Sequence, residues 1–154
     1  MHSMTSTDIT RDVVTRLVDA YATGDRATAY AVTHPDIVWE CIGPPEFFPS
    51  CGQRIGRAAV FTNFELIAEL FSITEFRAAR VLADGEYAAL RILGTFASRR
   101  NGRRHRIELF CHARVVDGQL IAWREMFDSV AAVRDLHGVD MSMLALSTEP
   151  LERL

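Results

Sequence analysis

The sequence predicts an α+β fold in which a curved, mainly antiparallel sheet wraps around helices, and three observations lead there. Helical spacing of apolar residues fills the N-terminal part and one later segment, whereas the stretch from Glu75 to Asp128 reads as four strand-like runs. Those runs are separated by Asp84-Gly85, Asn101-Gly102 and Asp117-Gly118. Such a pair between apolar runs marks a hairpin, since its residues tolerate the positive φ of a tight turn. Hairpins make neighbouring strands antiparallel, and helices that are not interleaved strand by strand collect on one side of the sheet. A long helix under a strongly curved sheet leaves a cone-shaped apolar cavity able to hold a small molecule.

Composition sets the bounds. With 154 residues, 49% of them hydrophobic, the chain can build one substantial core and has no length for a second. A single domain is expected over residues 1–138, followed by a C-terminal tail over 139–154 that either packs on the body or stays mobile. The 17 Lys+Arg against 20 Asp+Glu leave a net charge of -3, which gives no global attraction to a polyanion, so no nucleic-acid partner is expected. The opening MHSMTSTDITRD lacks a signal-peptide pattern, and no apolar run approaches the ~20 residues that span a bilayer. A soluble, cytoplasmic protein with no membrane partner follows as the expectation. Cys41, Cys51 and Cys111 form an odd set without a Cys-x-x-Cys, and are read as buried free thiols. His2, His34, His105, His112 and His137 show no ligand-like spacing, and neither a phosphate-cradling glycine loop nor a Gly-x-Ser-x-Gly elbow is present. No metal and no cofactor are therefore expected.

Taken in order, the chain begins with a helix capped by Ser6, Thr7 or Asp8, with Ile9, Val13, Leu17 and Tyr21 on one face and Gly24 as its stop. Asp25 can cap a second, short helix that ends before His34-Pro35, because a residue preceding proline is pushed out of the α region. Ile37 to Ile42 is short, β-branched and aromatic, hence a strand. Within it Trp39 is read as core or cavity wall. Gly43 to Gln53 contains three prolines yet also Phe47 and Phe48. A loop that folds over an apolar opening reconciles the two. A third helix runs from about Arg57 to Phe71, with Val60, Phe64, Ile67 and Phe71 on one stripe. Strands over Glu75–Ala83 and Glu86–Ser98 and the hairpin strands follow, and Val130, Val133 and Leu136 predict a short final helix closed by Gly138. The cluster Arg99, Arg100, Arg103, Arg104, His105 and Arg106 reads as a solvated, charged hairpin tip.

The hairpin around Asp117-Gly118 returns as LIAWREMFD and ends on a carboxylate. Asp128 either caps the helix that follows, through the amide of Val130 or Ala131, or points into whatever the sheet encloses. Arg91 has Leu90 and Ile92 on the opposite strand face, and serves either a site or an ion pair on the surface or at a dimer interface.

Several segments carry a resemblance. The Tyr21-Ala22-Thr23-Gly24-Asp25 junction, the Gly56-Arg57 start of the third helix, and Val116-Asp117-Gly118-Gln119-Leu120-Ile121 followed by Trp123-Arg124-Glu125-Met126-Phe127-Asp128 resemble the nuclear transport factor 2-like superfamily. Within it they are most similar to the SnoaL-type polyketide cyclases and the limonene-epoxide-hydrolase branch, with ketosteroid isomerases as more distant relatives. The resemblance spans roughly Ile9 to Gly138 and implies a cystatin-like α+β barrel. This fold hosts isomerases, cyclases, hydrolases, dehydratases and plain binding proteins.

What the resemblance implies about the site is partial. The final-strand aspartate of the cyclase and hydrolase branches matches Asp128. The hydrolases' Arg-x-Asp pair reads Arg91-Ile92-Leu93, so the arginine is kept and the second carboxylate is lost, which argues against epoxide opening. The ketosteroid-isomerase base, acid-donor and tyrosine positions read Cys41, Cys111 and Leu17, which argues against steroid isomerisation by that route. The implied site has Asp128 as general acid/base and Arg91 as its electrostatic helper, in a pocket walled by Trp39, Cys41, Phe47, Phe48, Phe64, Leu93, Cys111 and Met126. The implied function is cofactor-free proton transfer (isomerase, cyclase or dehydratase type) on a small hydrophobic polyketide- or terpenoid-like molecule. A non-catalytic binding or dimerisation module is the other reading. A sheet face bearing Phe110, Trp123 and Phe127 is expected to pair two copies into a homodimer.

Overall fold

The computed structural model describes residues 3–144. Among them the chain forms helix α1 (Ser6–Thr23), α2 (Arg26–Val32), strand β1 (Thr33–Ile42), β2 (Gly52–Ile55), α3 (Arg57–Leu70), β3 (Phe71–Asp84), β4 (Tyr87–Ser98), β5 (Arg104–Val116), β6 (Gln119–Met126) and α4 (Ser129–Ala132). The final helix continues as a π-helical turn over Val133–His137, which ends at Gly138, and a 3-10 turn follows over Met141–Leu144. The strands make one sheet in the order β2-β1-β6-β5-β4-β3. All neighbours are antiparallel except β1 and β6, which run parallel. The α+β reading therefore holds, with one strand beyond expectation. Gly52–Ile55, of which Gly52 and Gln53 were expected in the loop, pairs with β1 at the sheet edge.

Local chemistry accounts for the element ends. Thr5, one residue before the expected caps, accepts from the Asp8 amide while the Asp8 carboxylate accepts from the Thr5 amide, a reciprocal capping box. Asp25 caps α2 through the Thr28 amide, and α2 stops at Val32, ahead of His34-Pro35. Pro35 has no N–H to offer β6, and the β1/β6 register shifts between Thr33 and Val38. At the last hairpin both Asp117 (φ 50°) and Gly118 (φ 74°) are left-handed, as a two-residue turn matched to the strand twist requires.

Register shifts interrupt β3 between Ile73 and Glu75 and between Ala78 and Arg80, and the β5/β6 pairing between Arg114 and Val115. An extra residue in one strand bends it and adds twist, so the sheet curves around α1, which packs on β3, β4, β5 and β6. Val13, Val14, Leu17 and Val18 of α1 meet Ile37, Leu90, Ile92, Ala113 and Leu120 in the main core. The β3–β4 turn is pinned to this helix: Thr10 donates to the Gly85 carbonyl at 2.7 Å, and the Gly85 amide donates to the Thr7 hydroxyl at 2.9 Å. A second cluster of Cys41, Phe48, Cys51, Ala132, Val133 and Leu136 closes the other end. Val139 and Met141, the described start of the expected tail, pack against it. The rest of that tail, 145–154, lies outside the described residues.

The core is tight where these parts meet. Leu120 has no exposed surface, so Leu120→Ala should lower stability by about 2–5 kcal/mol. The loss should be read as a lower urea midpoint with an unchanged slope.

Candidate functional site

Three strands deliver side chains to the space between sheet and helices. On β6, alternation turns Trp123 and Glu125 inward and Arg124 and Met126 outward. The neighbouring β1 runs parallel with Trp39 opposite Trp123 and Cys41 opposite Glu125, so their inward sets coincide. On the other side Cys111 of β5 is paired with Glu125. The two indoles stack at 4.9 Å between centroids and 17° between planes. Phe64 of α3 meets Trp39 edge-on at 5.1 Å, and Tyr21 of α1 meets Phe64 at 5.1 Å and Phe76 at 4.9 Å.

These groups enclose a cavity of about 90 Å³. Its lining is apolar apart from Glu125, His105, Ser50, Tyr21, the indoles and the thiols of Cys41 and Cys51. The roof is the proline-rich loop, where Phe48 is buried and packs edge-on against Phe127 at 5.5 Å. Asn63 of α3 holds this loop by donating to the Ser50 carbonyl at 3.1 Å.

Glu125 is the buried carboxyl of this cavity. The indole N–H of Trp123 donates to it at 2.8 Å, and the side chains of Trp39 and Cys41 stand near enough to favour its anion. Glu125 keeps some accessible surface because it lines the cavity, yet protein surrounds its carboxyl. Burial pushes its pKa above the usual carboxylate range, and the three donors, which favour the anion, offset part of that rise. Its charge and burial in turn raise the neighbours: Tyr21 and Cys111 both hold their protons more tightly, burial being the larger cause in each. Cys41 and Cys51 lie with their sulfurs 3.3 Å apart. The bond between them is the largest influence on both, holding Cys41 protonated and easing ionisation of Cys51.

Further along β5, His105 turns inward to line the cavity while its Nδ1 sits 2.8 Å from the Asp135 carboxylate. Arg134, and after it His105, hold the Asp135 pKa down at about 2. A histidine anchored through Nδ1 leaves Nε2 as the free ring nitrogen. Among the described residues no group of three or more His, Cys, Asp or Glu side chains is arranged to hold a metal ion.

The sequence-predicted site is rearranged. Asp128 is exposed and caps α4, accepting from the Ala131 amide at 3.0 Å, and it does not line the cavity. Arg91 lies on the outer face of the sheet in an ion pair with Glu108. Leu93 shares that outward parity two residues later, Met126 is 49% exposed on the outer face, and Phe47 is exposed with its ring against His137. Cys111 is buried beside Glu125 in the main core and does not line the cavity. Trp39, Cys41, Phe48 and Phe64 do.

Glu125, His105, Tyr21 and Cys51 are among the cavity groups that escaped the sequence reading. Glu125 is hidden inside a Trp-Arg-Glu-Met-Phe-Asp run in which Asp128 is the more conspicuous acid. Its signal is parity, since it lies two residues from Trp123 and two from Phe127. His105 was counted with the arginines around it. Arg104 and Arg106 are exposed, while His105 shares parity with Ile107, Leu109 and Cys111. The basic tip is also partly engaged: Arg99 donates to the Ala68 carbonyl and Arg103 to that of Asp135.

Comparison with known proteins agrees with this fold. A family model described as SnoaL-like domain matches residues 14–123. An NTF2-like protein from Burkholderia xenovorans LB400 superposes with a TM-score of 0.75 at 23% identity, covering 86% of this chain and 98% of that one. An LEH-like epoxide hydrolase from M. tuberculosis gives 0.70 at 20% identity, covering 86% and 92%. A protein of unknown function with a cystatin-like fold from Xanthomonas campestris gives 0.65 at 26% identity, covering 80% and 94%. Curated protein sequences give no match.

A buried acid leaves a thermodynamic signature. With its folded pKa raised above the unfolded value of ~4.3, Glu125 contributes stability that is complete below that value and is lost as pH rises through the folded one. The difference in melting temperature between Glu125→Gln and the parent should therefore grow in favour of the variant as pH is raised from 4 to 8. A difference that does not change with pH would contradict the raised pKa.

Proposed function

Because the chain belongs to the SnoaL-like domain family, and because one buried carboxyl faces its cavity, we propose that it catalyses cofactor-free proton transfer on a small hydrophobic carbonyl compound, with Glu125 as the general acid/base. The raised pKa of Glu125 supports this reading. A carboxyl whose pKa is moved towards neutrality can both take and return a proton, which an ordinary surface carboxylate does poorly. As base it removes a proton next to the carbonyl; as acid it returns that proton at another carbon, completing an isomerisation, a ring closure or a dehydration. Tyr21, kept protonated by burial on the same cavity wall, donates to the oxygen that becomes an enolate. Among the described residues no Lys or Arg lines the cavity, and the Arg91 expected in that part pairs with Glu108 outside.

The cavity volume supports a small substrate. About 90 Å³ is below the roughly 300–1,000 Å³ of sites for drug-sized ligands, which favours a short-chain or single-ring compound over a multi-ring polyketide. The same small volume supports a second reading, a non-catalytic module whose interior is filled by its own side chains. The two separate in deuterium exchange. Small cyclic ketones in D₂O should exchange their α-protons faster with the protein than with buffer. Glu125→Gln should reduce that rate about 10²–10⁴-fold, while Asp128→Asn, which retains a capping side chain, should leave it intact. Exchange at the buffer rate for every ketone, without any change in tryptophan fluorescence on addition, would favour the filled module.

We also propose a homodimer through the outer sheet face, in a cytoplasmic setting. No helix among the described residues is long and apolar enough to cross a membrane. The face differs from the expected set: Trp123 and Phe127 turn inward, whereas Phe110 stands with Leu82, Tyr87 and Met126, which are 48–62% exposed. Apolar side chains contiguous on one sheet face are more stable covered than wet. Sedimentation at micromolar concentration should give a dimer, and Phe110→Asp a monomer. A monomeric parent would refute the assembly.

A further inference from the structure

The fold gives the cavity wall a pair of thiols that the proton-transfer reading does not use. Cys41 ends the inward row of β1, and Cys51 stands immediately before β2, one position from the Gly52 that pairs with Cys41. Their sulfurs are 3.3 Å apart, both residues are buried, and both line the cavity that holds Glu125. A disulfide needs about 2.05 Å between sulfurs and Cβ atoms about 3.8 Å apart, so closure asks for a shift of the order of an ångström in two short side chains. Room for the pair depends on a third residue. A Cβ on Gly43 would stand 2.7 Å from the Cys51 sulfur, a separation that only glycine avoids. The remaining cysteine, Cys111, is buried in the main core and does not itself line the cavity.

We propose that Cys41 and Cys51 are a redox-modifiable pair, closing to a reversible disulfide when a small hydroperoxide enters the cavity and thereby removing the Cys41 thiol from beside Glu125. Cys51, whose ionisation is eased by the bond from Cys41, attacks the outer peroxide oxygen. The S–O bond forms, the O–O bond breaks, and the alkoxide leaves as an alcohol after taking a proton. The Cys41 sulfur then attacks that of Cys51. The S–S bond forms, the S–O bond breaks, and hydroxide departs with the Cys41 proton as water. Two thiols are oxidised and one peroxide is reduced by two electrons.

The disulfide has no S–H left. Glu125 keeps its two indole partners and loses the thiol that favoured its anion, so its protonated form gains. The effect on turnover rests on the reading of Glu125 as acid/base. Formation of the disulfide does not.

The test treats the full chain with tert-butyl hydroperoxide. Intact mass should fall by two hydrogens, a digest should join the peptides of Cys41 and Cys51, and alkylation after unfolding should find one free thiol where there were three, with dithiothreitol restoring all of them. Cys111→Ala and Glu125→Gln should cross-link like the parent; Cys41→Ala and Cys51→Ala should not. Tryptophan fluorescence, which senses Glu125 through the indoles bonded to it, should titrate at higher pH in the oxidised protein than in the reduced one, and this transition should be absent from Glu125→Gln. A mass that only gains oxygen, or a cross-link that leaves the titration in place, overturns the proposal. Absence of ketone exchange with the cross-link and the shifted titration intact would sink the catalytic reading and leave this one standing.

Discussion

A β-strand can turn only every second side chain towards a core, and in this protein β6 lies inside the curved sheet, between β1 and β5. Once Trp123 is committed inward, Glu125 must follow it and Arg124 and Met126 must face out. The parallel pairing with β1 sets Trp39 and Cys41 on the same side, so one acid arrives in the interior already surrounded by two indole N–H groups and a thiol. A shift of one residue in β6 would exchange this arrangement for a buried arginine and an exposed glutamate. The Asp117-Gly118 turn guards against that slip, since its two left-handed residues tie Val116 to Gln119.

Among the described residues this carboxyl is placed in the cavity lining without a Lys or Arg beside it. Burial opposes the charge, three donors favour it, and burial dominates. An arginine beside it would have favoured the anion and pulled its pKa down. The arginines of the sheet instead lie outside, where Arg91 pairs with Glu108, Arg114 with Glu86 and Arg124 with Glu40. Such exposed pairs are worth little in stability. They do keep an otherwise apolar outer face compatible with water. His105, on the cavity side of β5, and Asp135 of the π-helical turn form a separate polar unit near the roof.

The SnoaL-like fold supports many chemistries because the scaffold supplies only a curved sheet, a long helix and a cone between them. What differs from one such protein to another is which inward positions carry polar atoms and how far the roof closes. Here the roof is the loop over residues 43–51, with Phe48 directed down onto Phe127 and Cys51 brought to Cys41. The narrow volume, the single acid and the paired thiols all come from residues in or next to that loop and β6.

Much of this architecture was legible in the sequence because its signals are local. Apolar spacing in α1 and α3, Asp25 as a cap, proline after α2 and the Asp-Gly turns each act within a few residues, and together they give the helices, the hairpins and the α+β class. Trp39, Cys41, Phe48 and Phe64 could be assigned to the cavity because inward parity on β1, or an aromatic side chain on a helix or loop that must be buried, is readable without the fold. Asp128 could not be settled that way: capping α4 and entering the cavity require the same residue at the same strand end, and the choice depends on how β6 leaves the sheet. Arg91, Leu93 and Met126 failed for a related reason. An amphipathic strand has two candidate faces, and only pairing across β4, β5 and β6 decides which one meets α1. Local propensity thus determined the elements and their order, whereas the register of the curved sheet, a cooperative property of strands distant in sequence, decided that the interior acid is Glu125.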